Sequence, residues 1–305
     1  MDAIQKSLLE QVAELHDVPE GAYNIRANGK AVARTTTAHI DIVSKTDKDG
    51  IDIIIKPGTK NESVHIPVVL SESGLTETVY NDFFIGEGAD VTIVAGCGVH
   101  ADGEEEARHN GIHRFFLAKG ARVLYKEKHI GTGKGAGAKR IDPVTQITME
   151  DDAYFEMDTV QLSGVDDTTR TTSAVLGARA RLVVRERLMT NGAETAMTDF
   201  DVALNGEDAG ADLVSRSVAR GHSRQTFRSC IRGKTRCTGH SECDAILADE
   251  GCVIATPALE ASHVDASLIH EAAIGKIAGE QLLKLCTLGL TEEEAERKII
   301  EGFLR

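Results

Sequence analysis

Residues 88–94 read Gly-Ala-Asp-Val-Thr-Ile-Val, and the pattern returns at 120–126 as Gly-Ala-Arg-Val-Leu-Tyr-Lys. It comes back as Asp-Ala-Tyr-Phe-Glu-Met-Asp at 152–158, Arg-Ala-Arg-Leu-Val-Val-Arg at 179–185 and Gly-Ala-Asp-Leu-Val-Ser-Arg at 210–216. The alanines Ala89, Ala121, Ala153, Ala180 and Ala211 are spaced by 32, 32, 27 and 31 residues, and a looser sixth copy is read from Ala245. Within each copy apolar and polar positions alternate. Ala89, Val91 and Ile93 share one face, as do Ala121, Val123 and Tyr125, Ala153, Phe155 and Met157, and Ala180, Leu182 and Val184. The opposite face carries Asp90, Arg122, Lys126, Glu156, Asp158, Arg181, Arg185, Asp212 and Arg216. Alternation of period two is the signature of a half-buried strand.

A second alternating segment accompanies most copies: His113-Phe115-Leu117, Val144-Gln146-Thr148 and Phe200-Val202-Leu204. Self-similarity near 30 residues means stacked rungs of two or three short strands each. The fold expected is mainly β, a parallel β-helix (solenoid). An antiparallel β-sandwich is the competing architecture, but its turns recur every 8–12 residues without long-period similarity. No six-residue period is present, which sets aside a left-handed hexapeptide helix.

The ends differ from the middle. Ile4, Leu8, Val12 and Leu15 recur at helical spacing and predict a short N-terminal amphipathic helix within residues 1–20. The solenoid is expected over 21–262 and a helical segment over 263–305. Ser267–Leu288 carries Leu268, Ala272, Ile277, Leu282 and Cys286 at helical spacing, with Gly289 as its stop. Thr291 and Glu294 then form a capping box that opens the last helix, whose stripe is Ile299, Ile300, Phe303 and Leu304.

Bulk composition narrows the function. Apolar residues make up 41% of the 305, enough for a core, but there is no Trp and only 4% is aromatic, so that core is Val, Ile, Leu and Ala. A net charge of −14 repels phosphate backbones, arguing against nucleic acid and for cations or a basic partner. No apolar run reaches 18 residues and the acidic N-terminus is no signal peptide, so a cytoplasmic protein off the membrane is expected.

In that compartment the six cysteines stay reduced. Four of them, Cys230, Cys237, Cys243 and Cys252, fall close together and precede His263, His270 and Glu271. Thiolate with imidazole suits zinc, iron–sulfur or copper(I) chemistry. The spacings match neither a zinc finger nor a ferredoxin run, so the site has to be assembled from several rungs. Glu242 and Asp244 flank Cys243 and disfavour a free thiolate, which argues against a nucleophile and is tolerable for a metal ligand. A second group, Cys97, His100, His109 and His113, invites a zinc-enzyme reading, weakened by Asn110-Gly111 inside the histidine pair. The glycine-rich run 131–139 reads as a flexible loop: a strand follows where a phosphate-binding loop needs a helix.

One long string has a family resemblance. Gly239-His-Ser-Glu-Cys243-Asp-Ala-Ile, Thr256-Pro257-Ala-Leu-Glu260-Ala, Leu268-Ile-His270-Glu271-Ala-Ala-Ile-Gly-Lys276-Ile and the tail from Gln281 to Leu304 resemble the SufB/SufD scaffolds of iron–sulfur cluster assembly. The chain lacks the long N-terminal region of typical members and so looks like the short, SmsB-like form. The resemblance implies a right-handed parallel β-helix and a scaffold, not an enzyme, that carries a transient iron–sulfur cluster. It implies C-terminal helices that dock a SufC-type ABC ATPase, and a homodimer that meets a sulfur donor and apo-acceptor proteins. It also implies Cys243 and Glu271 as cluster ligands, His270 as ligand or proton partner, and Cys237 and Cys252 as auxiliaries, with the His-Glu pair opening the C-terminal helix. The alternatives are a SufD-like adaptor that holds no cluster, a zinc enzyme using His100, His109 and His113, and, more distantly, a carbohydrate-processing β-helix.

Overall fold

The computed structural model describes residues 2–13 and 19–305. It is mainly β, about 59% strand, wound into a β-solenoid of about eight turns. Two ten-stranded sheets form its walls, and successive rungs contribute one strand to each. Pairing between rungs is parallel and in register over long runs, as in Arg181–Thr190 against Gly210–Ala219 and Thr195–Leu204 against Arg224–Gly233.

Register explains the repeat and corrects its last two copies. Ala89, Ala121, Ala153 and Ala180 each immediately precede a strand, and the following residues stack as Asp90 on Arg122, Arg122 on Tyr154 and Tyr154 on Arg181. Arg181 then stacks on Gly210 and Leu182 on Ala211. The alanine that continues the column is therefore Ala209, not Ala211. The next position is Cys237, because Gly210 stacks on Thr238. The sixth copy thus starts at Cys237 and not at Ala245. A thiol stands where the other rungs place a methyl group.

The core is the inside of the solenoid. Val91, Ile93, Val123, Tyr125, Phe155, Met157, Leu182 and Val184 from one sheet meet Phe83, Phe115, Leu117, Ile147, Phe200 and Val202 from the other. The alternating segment at 144–149 is offset by one from its expected face: Thr145, Ile147 and Met149 point inward. The glycine-rich run is a loop at a corner, laid on the preceding rung. A Cβ at Gly135 or Gly137 would fall within 2.3 or 2.1 Å of the carbonyl oxygens of Gly103 and Glu105, so only glycine allows that stacking.

The two ends are built differently. At the N-terminal end the sheets begin in antiparallel hairpins, Ala22–Ala27 with Lys30–Thr35 and Ile40–Ser44 with Gly50–Ile55. Helix α1 (Ala3–Ala13) packs outside, with Leu8 over Gly98 and Val12 over Gly96, where missing side chains let it approach. Leu15, the last position of its expected stripe, lies outside the described residues.

At the C-terminal end both sheets stop on uncovered strands, Cys252–Ala261 and Ala266–Gly275. The second corrects an expectation. Residues 266–275 are strand, paired in parallel with Cys237–Ile246, not the first half of a helix over 267–288. Leu268 and Ala272, four apart, fit a helical stripe and an inward strand face equally well. Helix α2 (Gly279–Thr287) starts only beyond Gly275. Helix α3 (Glu292–Phe303) has the expected capping box: Thr291 Oγ1 accepts from the Glu294 amide at 3.2 Å, and the Glu294 carboxylate accepts from the Thr291 amide at 2.9 Å. Its Ile300 and Leu304 fold back onto Val218, Met189 and Ile246 on the outer wall. Among the described residues no helix is long and apolar enough to cross a membrane.

Candidate functional site

The interior is not wholly apolar. Along the strand Arg122–Thr132 the inward parity of Val123 and Tyr125 continues into Glu127 and His129. Across the lumen the same parity puts Arg170 inside, and in the next rung Glu186. All four are buried. Arg170 donates to Glu127 at 2.5 Å and to His129 Nδ1 at 3.2 Å, and its Nε lies 3.5 Å from Glu186. Burial alone would raise the Glu127 carboxyl, but His129 and Arg170 outweigh it and hold the group well below the usual carboxylate range.

The network extends both ways. Tyr125 gives its single proton to Glu127 at 2.9 Å, so the 2.8 Å contact to His113 requires a proton on His113 Nδ1. His113 Nε2 then accepts from Asn81 at 3.3 Å. Burial drives the His113 pKa down to about 4, so the ring is neutral at physiological pH. Toward the C-terminus, Glu186 accepts from Thr198 at 2.9 Å and from Ser215 at 2.6 Å. Ser215 is the register partner of Cys243. A file of polar side chains thus runs inside the solenoid from His113 to the last rungs and reaches Cys243.

Cys243 is buried on the inner face. Burial first, then the charges of Glu186 and Asp244, push its thiol up to about 12. His270 points inward on the terminal strand, two residues before the Cys243 partner Ala272, and its Nδ1 is buried without a hydrogen-bond partner. Glu271, exposed, points outward, because its register partner is the outward Glu242. Cys237 is inward but six residues from Cys243 along the strand, about 20 Å at strand rise. Cys252 opens the terminal strand of the other sheet as the partner of exposed Arg224, and so faces outward. Of the five residues expected at a metal site, one chain brings Cys243 and His270 together on its inner face. Glu271 sits across the sheet, and Cys237 and Cys252 are elsewhere. Among the described residues no three His, Cys, Asp or Glu side chains are grouped to hold a metal ion. The His-Glu pair lies in the last strand and does not open a helix.

The second group also divides. Cys97, His109 and His113 face the lumen around a void of about 10 Å³, room for one water. Gly111 leaves that space: a Cβ there would lie 3.1 Å from His113 Nε2 and 3.5 Å from His109 Nε2. His100 is apart, at a corner, held by Thr132 at 3.0 Å and Asp102 at 2.9 Å. The sequence reading did not single out Glu127, His129, Arg170 or Glu186, although strand parity placed each of them inside.

Fold and site together define a β-solenoid that begins in antiparallel hairpins and ends on uncovered strands, with a thiol and an imidazole on the inner wall of that last end. The family model for the SUF system FeS cluster assembly SufBD core domain matches residues 73–303, and the chain belongs to that family. It is 31% identical over 287 residues to the "Iron-sulfur cluster assembly SufBD family protein" of Methanothermobacter thermautotrophicus (strain Delta H), covering 90% of this chain and 68% of that protein. It is 31% identical over 240 residues to a homologue in the strain Winter, covering 77% of this chain and 57% of the relative. A protein of the same description in Archaeoglobus fulgidus is 28% identical over 262 residues, covering 85% and 69%. The chain therefore spans between 57% and 69% of the length of these three relatives. It is an iron–sulfur cluster assembly protein of the SufBD family.

Proposed function

We propose that this chain is the scaffold on which an iron–sulfur cluster is built and from which it is passed on, with the cluster as cargo, not as a resident cofactor. The observation that carries the reading is the asymmetry of the solenoid: its C-terminal end is uncovered and holds Cys243 and His270 inside with Glu271 on the outer wall. Ile254 and Ile269 on the terminal strands are more than half exposed, which suits pairing with a second copy at this edge. In such a homodimer Cys243, His270 and Glu271 of two chains meet at one seam and supply thiolate, imidazole and carboxylate to iron. Cys237 and Cys252 serve as auxiliaries outside the first set of ligands. A mixed donor set holds a cluster loosely enough to release it.

The driving partner is a SufC-type ABC ATPase of the cytoplasm. Helix α3 spends its stripe on the chain's own wall, but α2 buries none of its residues and exposes Leu283, with Leu288 following it. That face is the docking surface assigned to the ATPase. ATP-driven closure of the partner then shifts the two solenoids and opens the seam for a sulfur donor and an apo-acceptor. Because the described residues of one chain group no complete ligand set, a second reading stands beside it, an adaptor that carries the ATPase and holds no cluster.

Anaerobic reconstitution with iron and sulfide separates the two: a visible chromophore supports the scaffold, and colourless protein supports the adaptor. Co-expression with the ATPase tests the partnership. One ATPase per chain is expected, and purification of the chain free of it counts against that part of the reading.

A further inference from the structure

The outer wall of the first sheet carries a groove of about 500 Å³ beside the C-terminus. Two of its walls are Arg187 and Arg216, which are direct register partners on neighbouring parallel strands. Both side chains point outward, so two guanidinium groups stand side by side. Like charges directly opposite in a sheet are destabilising unless something neutralises them. Arg305 lines the same groove.

The acids nearby meet that need only in part. Asp158 pairs with Arg187 through Nη2 alone, and Arg187 Nε remains buried without an acceptor. Asp212 is engaged by His240 at 2.8 Å. Glu242 lines the groove but forms no ion pair with any of the three arginines among the described residues. Arg216 and Arg305 have no hydrogen-bonded or ion-paired side-chain partner among the described residues. A buried guanidinium N–H without an acceptor is costly, and a planar fork of such donors matches the two oxygens of a phosphate or carboxylate. The lining balances four arginines, Arg185, Arg187, Arg216 and Arg305, against the acids Asp158, Glu186, Asp212 and Glu242, so what marks the site is not net charge but the donors of Arg187, Arg216 and Arg305 left without acceptors among the described residues.

We propose that this groove binds a small oxyanion, a phosphate- or carboxylate-bearing molecule seated between Arg187 and Arg216 and closed over by Arg305. The site does not depend on cluster binding, and its test involves no iron.

The test is isothermal titration of metal-free, full-length protein at low ionic strength with pyrophosphate in one arm and citrate in the other. Saturable one-site binding is expected for at least one of them, and the tighter of the two gives the ligand class. Arg216→Gln and Arg305→Gln should each weaken it about tenfold, as expected for loss of one charge-assisted contact. Arg236→Gln, which removes a charge at a distant corner paired with Asp208, should leave it unchanged. No binding in either arm overturns the proposal, as does equal weakening in all three variants, the mark of a nonspecific charge effect. Folding of the variants is checked by their unchanged melting.

Discussion

Cys243 and Glu271 sit on neighbouring strands but on opposite faces of the sheet, because Glu271 pairs with Glu242 and Cys243 pairs with Ala272. One chain cannot close both around a single ion, so a shared site needs a second copy. The same parity divides the cysteines by reactivity. Cys243, Cys237 and Cys97 are inside, and Cys252 and Cys230 are half-buried on the outer face. With its thiol near 12, Cys243 is about one part in ten thousand thiolate at pH 8. Alkylation of the native, metal-free protein followed by peptide mass spectrometry should modify Cys252 and Cys230 long before Cys243. Equal rates would place Cys243 outside the lumen.

Arg170 bridges two buried carboxylates, Glu127 and Glu186. Arg170→Met leaves both without their counter-charge and should cost about 3–5 kcal/mol in denaturant unfolding. Adding Glu127→Gln and Glu186→Gln should restore most of that loss. A single-variant loss under about 1 kcal/mol would mean that these carboxylates are not ionised in the core.

His113 gives stability a sign with pH. Its folded pKa, about 4, lies below the ordinary 6.5 because burial disfavours the cation. Between these values the unfolded chain binds the extra proton, so stability is full above about pH 6.5 and falls as pH drops toward 4. The shift corresponds to about 3 kcal/mol lost across that window. Unfolding curves of His113→Gln should lack this part of the slope. An unchanged slope would assign it to other groups.

Much of this was legible before the fold was known. Ala89, Ala121, Ala153 and Ala180 do stack, and the parity of Val123-Tyr125 and Leu182-Val184 does face the core. The reading slipped where chemistry replaced pattern. At the fifth rung Ala209 and Ala211 are two apart and share a parity, and at the sixth Cys237 takes the alanine position, so the alanine pattern points to Ala211, two residues too far along its strand, and to Ala245, eight too far. Residues 267–275 looked helical because spacing of four satisfies both periods, and only pairing with Cys237–Ile246 decides for strand. The buried Glu127, Arg170 and Glu186 were hidden by the general rule that charges face water. Parity alone contradicted that rule, and their mutual neutralisation is a fact of three dimensions that no local window contains. The same holds for Glu271: sequence proximity to His270 says nothing about which face it takes.

Leu283 on helix α2 is 66% exposed, and the proposed ATPase docking rests on it. Leu283→Asp should abolish co-purification with the ABC-type ATPase while leaving the melting of the isolated protein within about 0.5 kcal/mol of the parent. Retained co-purification would move the docking surface elsewhere.

The scaffold reading stands or falls on the thiol at the open end of the solenoid. Purified protein is reconstituted under argon with iron and sulfide, and the visible charge-transfer absorbance per chain is compared between the parent, Cys243→Ser and Glu271→Ala. The parent should develop the chromophore and both variants should hold less than about a tenth of it, in keeping with the loss of a metal ligand. Parent-level colour in Cys243→Ser and Glu271→Ala alike would contradict the account.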